Sequence, residues 1–146
     1  MTRPQTVLAF DFGLKRIGIA CGDTLTRHGA ARAAAAVHRG VPDWQAIARE
    51  VRALDPAVLV VGAPYNADGS EGTLLVAARR FAAELEHRFA LPVHLVDERF
   101  SSLEASEALK RRRASGARGR IERAAIDSAA AAVILGRWFQ GEGEGT

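Results

Sequence analysis

The sequence predicts an α/β fold in which a mixed five-stranded sheet carries helices on both faces. Three observations predict it. Two short apolar runs near the N-terminus are joined by a glycine-containing turn, the pattern of a β-hairpin. Residues 57–62 (Ala-Val-Leu-Val-Val-Gly) are almost continuously apolar, as in a parallel-sheet strand covered on both sides. From residue 43 onward helical and strand patterns alternate, which calls for right-handed β-α-β crossovers.

Taken in order, strand 1 is expected over residues 6–12 and strand 2 over 16–22. A third strand falls near 30–37, although its alanine run suits a helix equally well. A helix over 43–53 has Asp43 as cap and Trp44, Ile47 and Val51 on its inner side, and leads into Pro56. Strand 4 is the run at 57–62. A long amphipathic helix follows at 70–89 with Ser70 as cap, and strand 5 at 93–96 begins after Pro92. Ser101-Ser102-Leu103-Glu104 has capping-box spacing and opens a helix to about 110. An alanine-rich helix at 122–139 closes the order. The tail Gly141-Glu142-Gly143-Glu144-Gly145-Thr146 is low in complexity and expected to be disordered, leaving residues 1–140 as one domain.

The 146 residues fit one domain. A chain of this length buries about 68–70% of its unfolded surface, so a core forms without staples. The single cysteine, Cys21, cannot make an internal disulfide and reads as a small buried hydrophobe. No apolar stretch approaches the ~20 residues needed to span a bilayer. The N-terminus lacks the layout of a signal peptide, so a cytoplasmic location is expected.

The net charge of +3 conceals a local concentration. Residues 110–120 hold Lys110, Arg111, Arg112, Arg113, Arg118 and Arg120 and no acid, so the remainder is left at −3 once those six charges are taken from +3. Such a segment suits a polyanion; as a bare charge run it is equally a solvated loop.

Three acids stand out. Asp11 lies inside the apolar run Thr6–Gly13, where an ionised carboxylate is expensive unless paired, hydrogen-bonded or metal-bound. Its plainer reading is an aspartate that closes the turn through its own backbone. Asp97-Glu98 follows strand 5, which puts it at the same sheet edge as Asp11 if strands 1, 4 and 5 are parallel; ligands of open α/β sheets bind at that edge. Asp127 shares a helical face with Ala130, Ala131 and Ile134, an apolar side that should face the sheet. Alternatively it only favours a helix N-terminus. Converging carboxylates would hold protons or bind a hard cation, and oxygen donors suit Mg²⁺ or Mn²⁺. The scattered histidines 28, 38, 87 and 94 and the lone cysteine do not make a zinc site.

The segment Ala9-Phe10-Asp11-Phe12-Gly13-Leu14-Lys15-Arg16-Ile17-Gly18 resembles the opening motif of the YqgF family. Those bacterial RNase H-fold proteins are described as Holliday junction resolvases and as nucleases that mature the 5′ end of small-subunit (16S) ribosomal RNA. Three further segments match in order, at Val61–Gly72, Val96–Ser102 and Ala125–Ala131, so the resemblance covers about residues 5–139. Each motif is weak alone; four in order at the right spacing are specific. Ser101-Ser102 stand where the family usually has two threonines, and Ala63 where a leucine is common.

The resemblance implies an RNase H-like fold with Asp11, Glu98 and Asp127 as catalytic, metal-binding carboxylates and Asp97 in support. It implies hydrolysis of phosphodiester bonds assisted by two Mg²⁺ or Mn²⁺ ions, with an rRNA precursor, free or in ribosomal particles, or branched DNA as substrate. A monomer or a weak homodimer fits either. Lys15, Arg16 and Arg99 flank the acids and would hold neighbouring phosphates, or form ordinary ion pairs; the arginines of 110–120 would contact backbone without reading sequence. The loop from Pro64 to Gly72 leads into a helix N-terminus suited to a phosphate, and is otherwise a glycine turn.

Two other classes compete. A nucleic-acid- or ribosome-binding protein could keep this fold without catalysis, but no aromatic stacking platform is apparent in the sequence. Asp-Phe-Gly followed by Lys-Arg also resembles the first phosphate loop of actin-like ATPases and sugar kinases, which need two related lobes where 146 residues supply one.

Overall fold

The computed structural model of the protein describes residues 4–63, 72–97 and 120–142, with backbone alone for 120–127 and Glu142. Six strands form one mixed sheet: β1 (Thr6–Asp11), β2 (Arg16–Asp23), β3 (Ala30–His38), β4 (Val41–Pro42), β5 (Val58–Ala63) and β6 (Val93–Asp97), in the order β4-β3-β2-β1-β5-β6. The helices are α1 (Trp44–Leu54), α2 (Thr73–Phe89) and α3 (Arg120–Arg137), and α3 is followed by Trp138–Glu142, which is kinked at Gly141 (φ 99°).

The hairpin is antiparallel, with Ala9 opposite Ala20 and Asp11 opposite Gly18, whereas β1 pairs in parallel with β5, and β5 with β6. The alanine-rich stretch that suited either state is the strand β3, because β2 requires a partner on its outer side. Beyond the five expected strands, β4 adds a two-residue edge that accommodates Pro42.

Helix α1 is capped as expected, the Asp43 carboxylate accepting from the Ala46 N–H at 3.1 Å, and it ends at Asp55 in the left-handed conformation (φ 45°). Helix α2 starts later than expected. Its cap is Gly72 in extended conformation with no side-chain hydrogen bond, a role glycine tolerates well. Ser70 and the expected 101–110 helix lie outside the described residues.

Period-two alternation divides β1 between two cores. Leu8 and Phe10 face α1 and α2, packing with Ile47, Ala78, Phe81 and Leu85. Val7 and Ala9 face α3, packing with Ala131, Ile134, Leu135 and Phe139. The two-sided cover expected of a parallel sheet is present. Phe81 joins three aromatic rings, edge-on to Phe10 (5.6 Å), tilted to Phe12 (5.4 Å) and stacked with Trp44 (5.5 Å). Among the described residues no helix is long and apolar enough to cross a membrane.

Truncating a buried phenylalanine removes its burial energy and leaves a cavity, so Phe81→Ala should cost about 3–5 kcal/mol. The measurement is the urea midpoint of the variant against that of the unaltered protein.

Candidate active site at the carboxyl edge of the sheet

Parallel strands β1, β5 and β6 end at one edge, at Asp11, Ala63 and Asp97. Phe10 pairs with Val61 and Ala63 with Asp97, so the two acids end their strands at nearly one level, two strands or about 10 Å apart. Asp11 is half-buried and has the parity of Val7 and Ala9, which puts it on the α3 face. Asp97 has the parity of Val93 and belongs to the opposite face. Glu98 has the parity of His94 and Val96 in sequence, and lies outside the described residues.

The hairpin turn beyond Asp11 is tight. A Cβ on Gly13 would come within 2.5 Å of the Arg16 carbonyl oxygen, so the close approach requires glycine. The turn presents Lys15 and Arg16, both exposed, at the edge that Asp11 occupies. The Val37 N–H donates to the Lys15 carbonyl at 2.9 Å and ties the turn to β3.

Helix α3 crosses the same face. Its Ser128 is fully buried; the hydroxyl oxygen accepts from the Ile19 N–H at 2.9 Å and donates to the Arg32 carbonyl at 2.7 Å. Seven residues later Leu135 lies against Gly22, three residues along β2. Seven helical residues and three strand residues both advance about 10 Å, so α3 runs alongside β2. Ile19 pairs with Phe10, which sets Ser128 level with Phe10. The backbone of Asp127, one residue earlier, is therefore nearer the level of Asp11. At the carboxyl end of α3, Arg137 Nη1 donates to the Asp97 carbonyl at 2.8 Å, the Trp138 ring lies tilted against His94 at 4.8 Å, and Arg27 donates to the Phe139 carbonyl.

Of the residues expected to act, Asp11, Lys15 and Arg16 are gathered at this edge, and Asp127 and Arg120 are described by backbone in α3. Glu98, Arg99, Lys110, Arg111, Arg112, Arg113 and Arg118 lie outside the described residues. Sequence reading passed over Ser128 and Arg137. Ser128 had a signal: a hydroxyl on the helical stripe of Ala131, Ala132 and Leu135. Arg137 had none, since a helix-end arginine is ordinary.

The donor chemistry at this edge is oxygen. A half-buried carboxylate at a strand end fits a hard divalent cation. His94 is engaged by Trp138, and Trp44, on the other face, has Phe81 on its ring and the Arg88 guanidinium 4.2 Å from the ring centre.

Residues 5–141 match the RuvX family, described as a Holliday junction resolvase. The chain belongs to the RuvX (YqgF) family. Relatives carrying the description "Putative pre-16S rRNA nuclease" occur in Coxiella burnetii (46% identical over 133 residues, 91% of each chain) and Legionella pneumophila (44% over 133 residues, 91% of this chain and 94% of the relative). Another, in Edwardsiella ictaluri, is 42% identical over 139 residues, 95% of this chain and 97% of the relative. Among solved structures, Thermus thermophilus RuvC in complex with a Holliday junction substrate superposes with a TM-score of 0.50 at 14% identity, covering 94% of each chain. The fold of this RuvX chain is thus RNase H-like, as expected.

Cys21 takes no part at this edge. Burial pushes its thiol above the ordinary value, partly offset by the Arg32 guanidinium. Its alkylation should be slow at pH 7, with the rate reaching half its maximum only above the free-thiol value of about 8.5. A pH–rate profile with iodoacetamide checks this.

Proposed function

We propose that the protein is a metal-dependent nuclease that hydrolyses phosphodiester bonds, acting in the cytoplasm on the 5′ end of the 16S rRNA precursor, in ribosomal particles or free. Residues 1–140 form the nuclease domain and 141–146 a tail. The observation that carries this reading is Asp11: a half-buried carboxylate ending a central strand on the face that α3 covers, in a chain of the RuvX family. The 42–46% identity to relatives named as nucleases of that precursor favours RNA.

Asp11, Glu98 and Asp127 would hold Mg²⁺ or Mn²⁺. When bound there, the metal would supply Lewis-acid activation of a water and charge neutralisation at the scissile phosphate and the leaving oxygen. Lys15 and Arg16, on the turn beside Asp11, hold the flanking phosphates. Arg99 and the basic residues Lys110, Arg111, Arg112, Arg113, Arg118 and Arg120 extend that contact along the backbone, which fixes position without specifying sequence.

A second reading, cleavage of a branched DNA, rests on the family description and on the junction-bound RuvC of like fold. Side-by-side cleavage of a 5′-extended 16S rRNA precursor and a four-way DNA junction, with Mg²⁺, Mn²⁺ or EDTA, separates the two. Metal-dependent cutting of the RNA alone supports the first reading. Cutting of the junction alone supports the second, and binding without cutting under every metal overturns both.

Asp11→Asn should reduce cleavage at least ~10³-fold while fold and RNA affinity stay nearly unchanged, since the metal carries most of the transition-state charge stabilisation. Circular dichroism, filter binding and single-turnover cleavage check it together. Replacing Arg111, Arg112 and Arg113 with alanine should weaken binding of all sequences alike. It should also flatten the plot of log affinity against log salt by about 0.7–0.9 per lost phosphate contact.

A further inference from the structure

We propose that Ser128 is the positioning residue of this site: its hydroxyl, set into a break in the β2–β3 ladder, fixes the height and rotation of α3 and with them the place of Asp127 relative to Asp11. The inference rests on the reading of Asp127 as a metal ligand.

The break is a β-bulge. Ile17 pairs with Ala35 and Ile19 with Arg32, so two steps along β2 face three along β3. At that point the Ser128 hydroxyl stands between two residues that face each other across the ladder. It accepts from the N–H of one, Ile19, at 2.9 Å and donates to the C=O of the other, Arg32, at 2.7 Å. Both functions of a hydroxyl are used and the side chain is fully buried.

Apart from the bond of Arg137 to the Asp97 carbonyl at the far end, the helix–sheet contact is apolar and non-directional. Ala131, Ile134 and Leu135 meet Val7, Ala9, Ala20, Val60 and Val96, and dispersion contacts of this kind specify position less sharply than a hydrogen bond does. The two hydrogen bonds of Ser128, both near ideal length, do specify it. The acceptor is also held from the opposite side. The Arg32 guanidinium makes two parallel bonds of 3.0 Å to Glu50 of α1, so the residue that receives Ser128 is tied through the sheet to the other helical layer. Asp127 immediately precedes Ser128, one turn before Ala131. A carboxylate on that residue inherits whatever displacement Ser128 permits, and metal ligation tolerates about ±0.2 Å.

The test uses Mn²⁺ alone as probe, titrated by electron paramagnetic resonance into the full chain without nucleic acid, alongside the Mn²⁺ dependence of cleavage. Ser128→Ala should weaken Mn²⁺ binding tenfold or more and raise the half-saturating Mn²⁺ concentration for cleavage equally. Phe81→Leu, on the far side of the sheet, serves as a control for lost stability and should leave both Mn²⁺ values unchanged. Wild-type Mn²⁺ affinity in folded Ser128→Ala, or equal shifts in the two variants, overturns the proposal. Should Ser128→Ala fail to fold, Ser128→Cys decides: its longer C–S bond should weaken Mn²⁺ binding threefold or more, and an unchanged affinity overturns the proposal. Asp127→Asn separates the two levels of inference. Lost Mn²⁺ binding there with normal Ser128 variants sinks the positioning role alone, whereas wild-type Mn²⁺ binding in Asp127→Asn sinks the ligand reading on which it rests.

Discussion

The structure is organised by one constraint: β1 is covered on both faces and yet ends in a carboxylate. Val7, Leu8, Ala9 and Phe10 are all at most 1% exposed, which demands a helical layer on each side of the sheet. An ionised carboxylate in such surroundings is costly unless it is solvated, hydrogen-bonded or paired. The chain meets both demands by stopping the strand at Asp11, where the sheet opens to its carboxyl edge and the acid is half-buried. The tight turn at Gly13 then brings Lys15 and Arg16 to the same edge, which raises the local positive potential beside the acid.

The cover on the Asp11 face is unusual in its side chains. Where α2 meets the sheet through phenylalanines and leucines, α3 sets alanines beside its large Ile134 and Leu135. A Cβ on Gly29 would lie 3.2 Å from the Ala132 carbonyl oxygen, and Ala131 is fully buried. The alanines let the helix axis approach, and the contacts of an apolar face are non-directional. Placement of the helix is specified by polar contacts in its middle and at its carboxyl end: Ser128 at the bulge, and Arg137 and Arg27 beyond it. The apolar surface supplies the free energy of docking while the hydrogen bonds specify where the helix stops.

Much of this was legible in the sequence, for reasons that are local. The hairpin, the continuous run that became β5 and the helix capped by Asp43 each carry their signal within a dozen residues. The alanine run of β3 was ambiguous because alanine favours a helix intrinsically, and only the need of β2 for a pairing partner resolves it. The start of α2 was misplaced because a serine at 70 is a stronger cap by type than the glycine at 72 that holds the position. Asp11 was legible as a strand-end acid needing solvent or a partner, because a charge inside an apolar run is costly. Ser128 was not, since its meaning depends on a bulge between two strands about a hundred residues earlier, and the bulge has no signature of its own in an alanine-rich strand.

Side-chain parity is what finally divides the edge into two surfaces. Asp11 belongs to the α3 face and its neighbour Phe12 to the aromatic cluster of Phe81 on the other. One peptide unit thus separates a polar site from a packed apolar layer. A slip of one residue in the β1–β5 register would exchange them, burying the acid against Phe81 and turning Phe12 toward α3. The register is secured independently from both sides, by the hairpin that pairs Asp11 with Gly18 and by the parallel ladder that pairs Phe10 with Val61. Double fixation of one short strand therefore keeps Asp11 on its own face. What the strand requires is a continuous apolar run, buried on both faces, and an opening at its end.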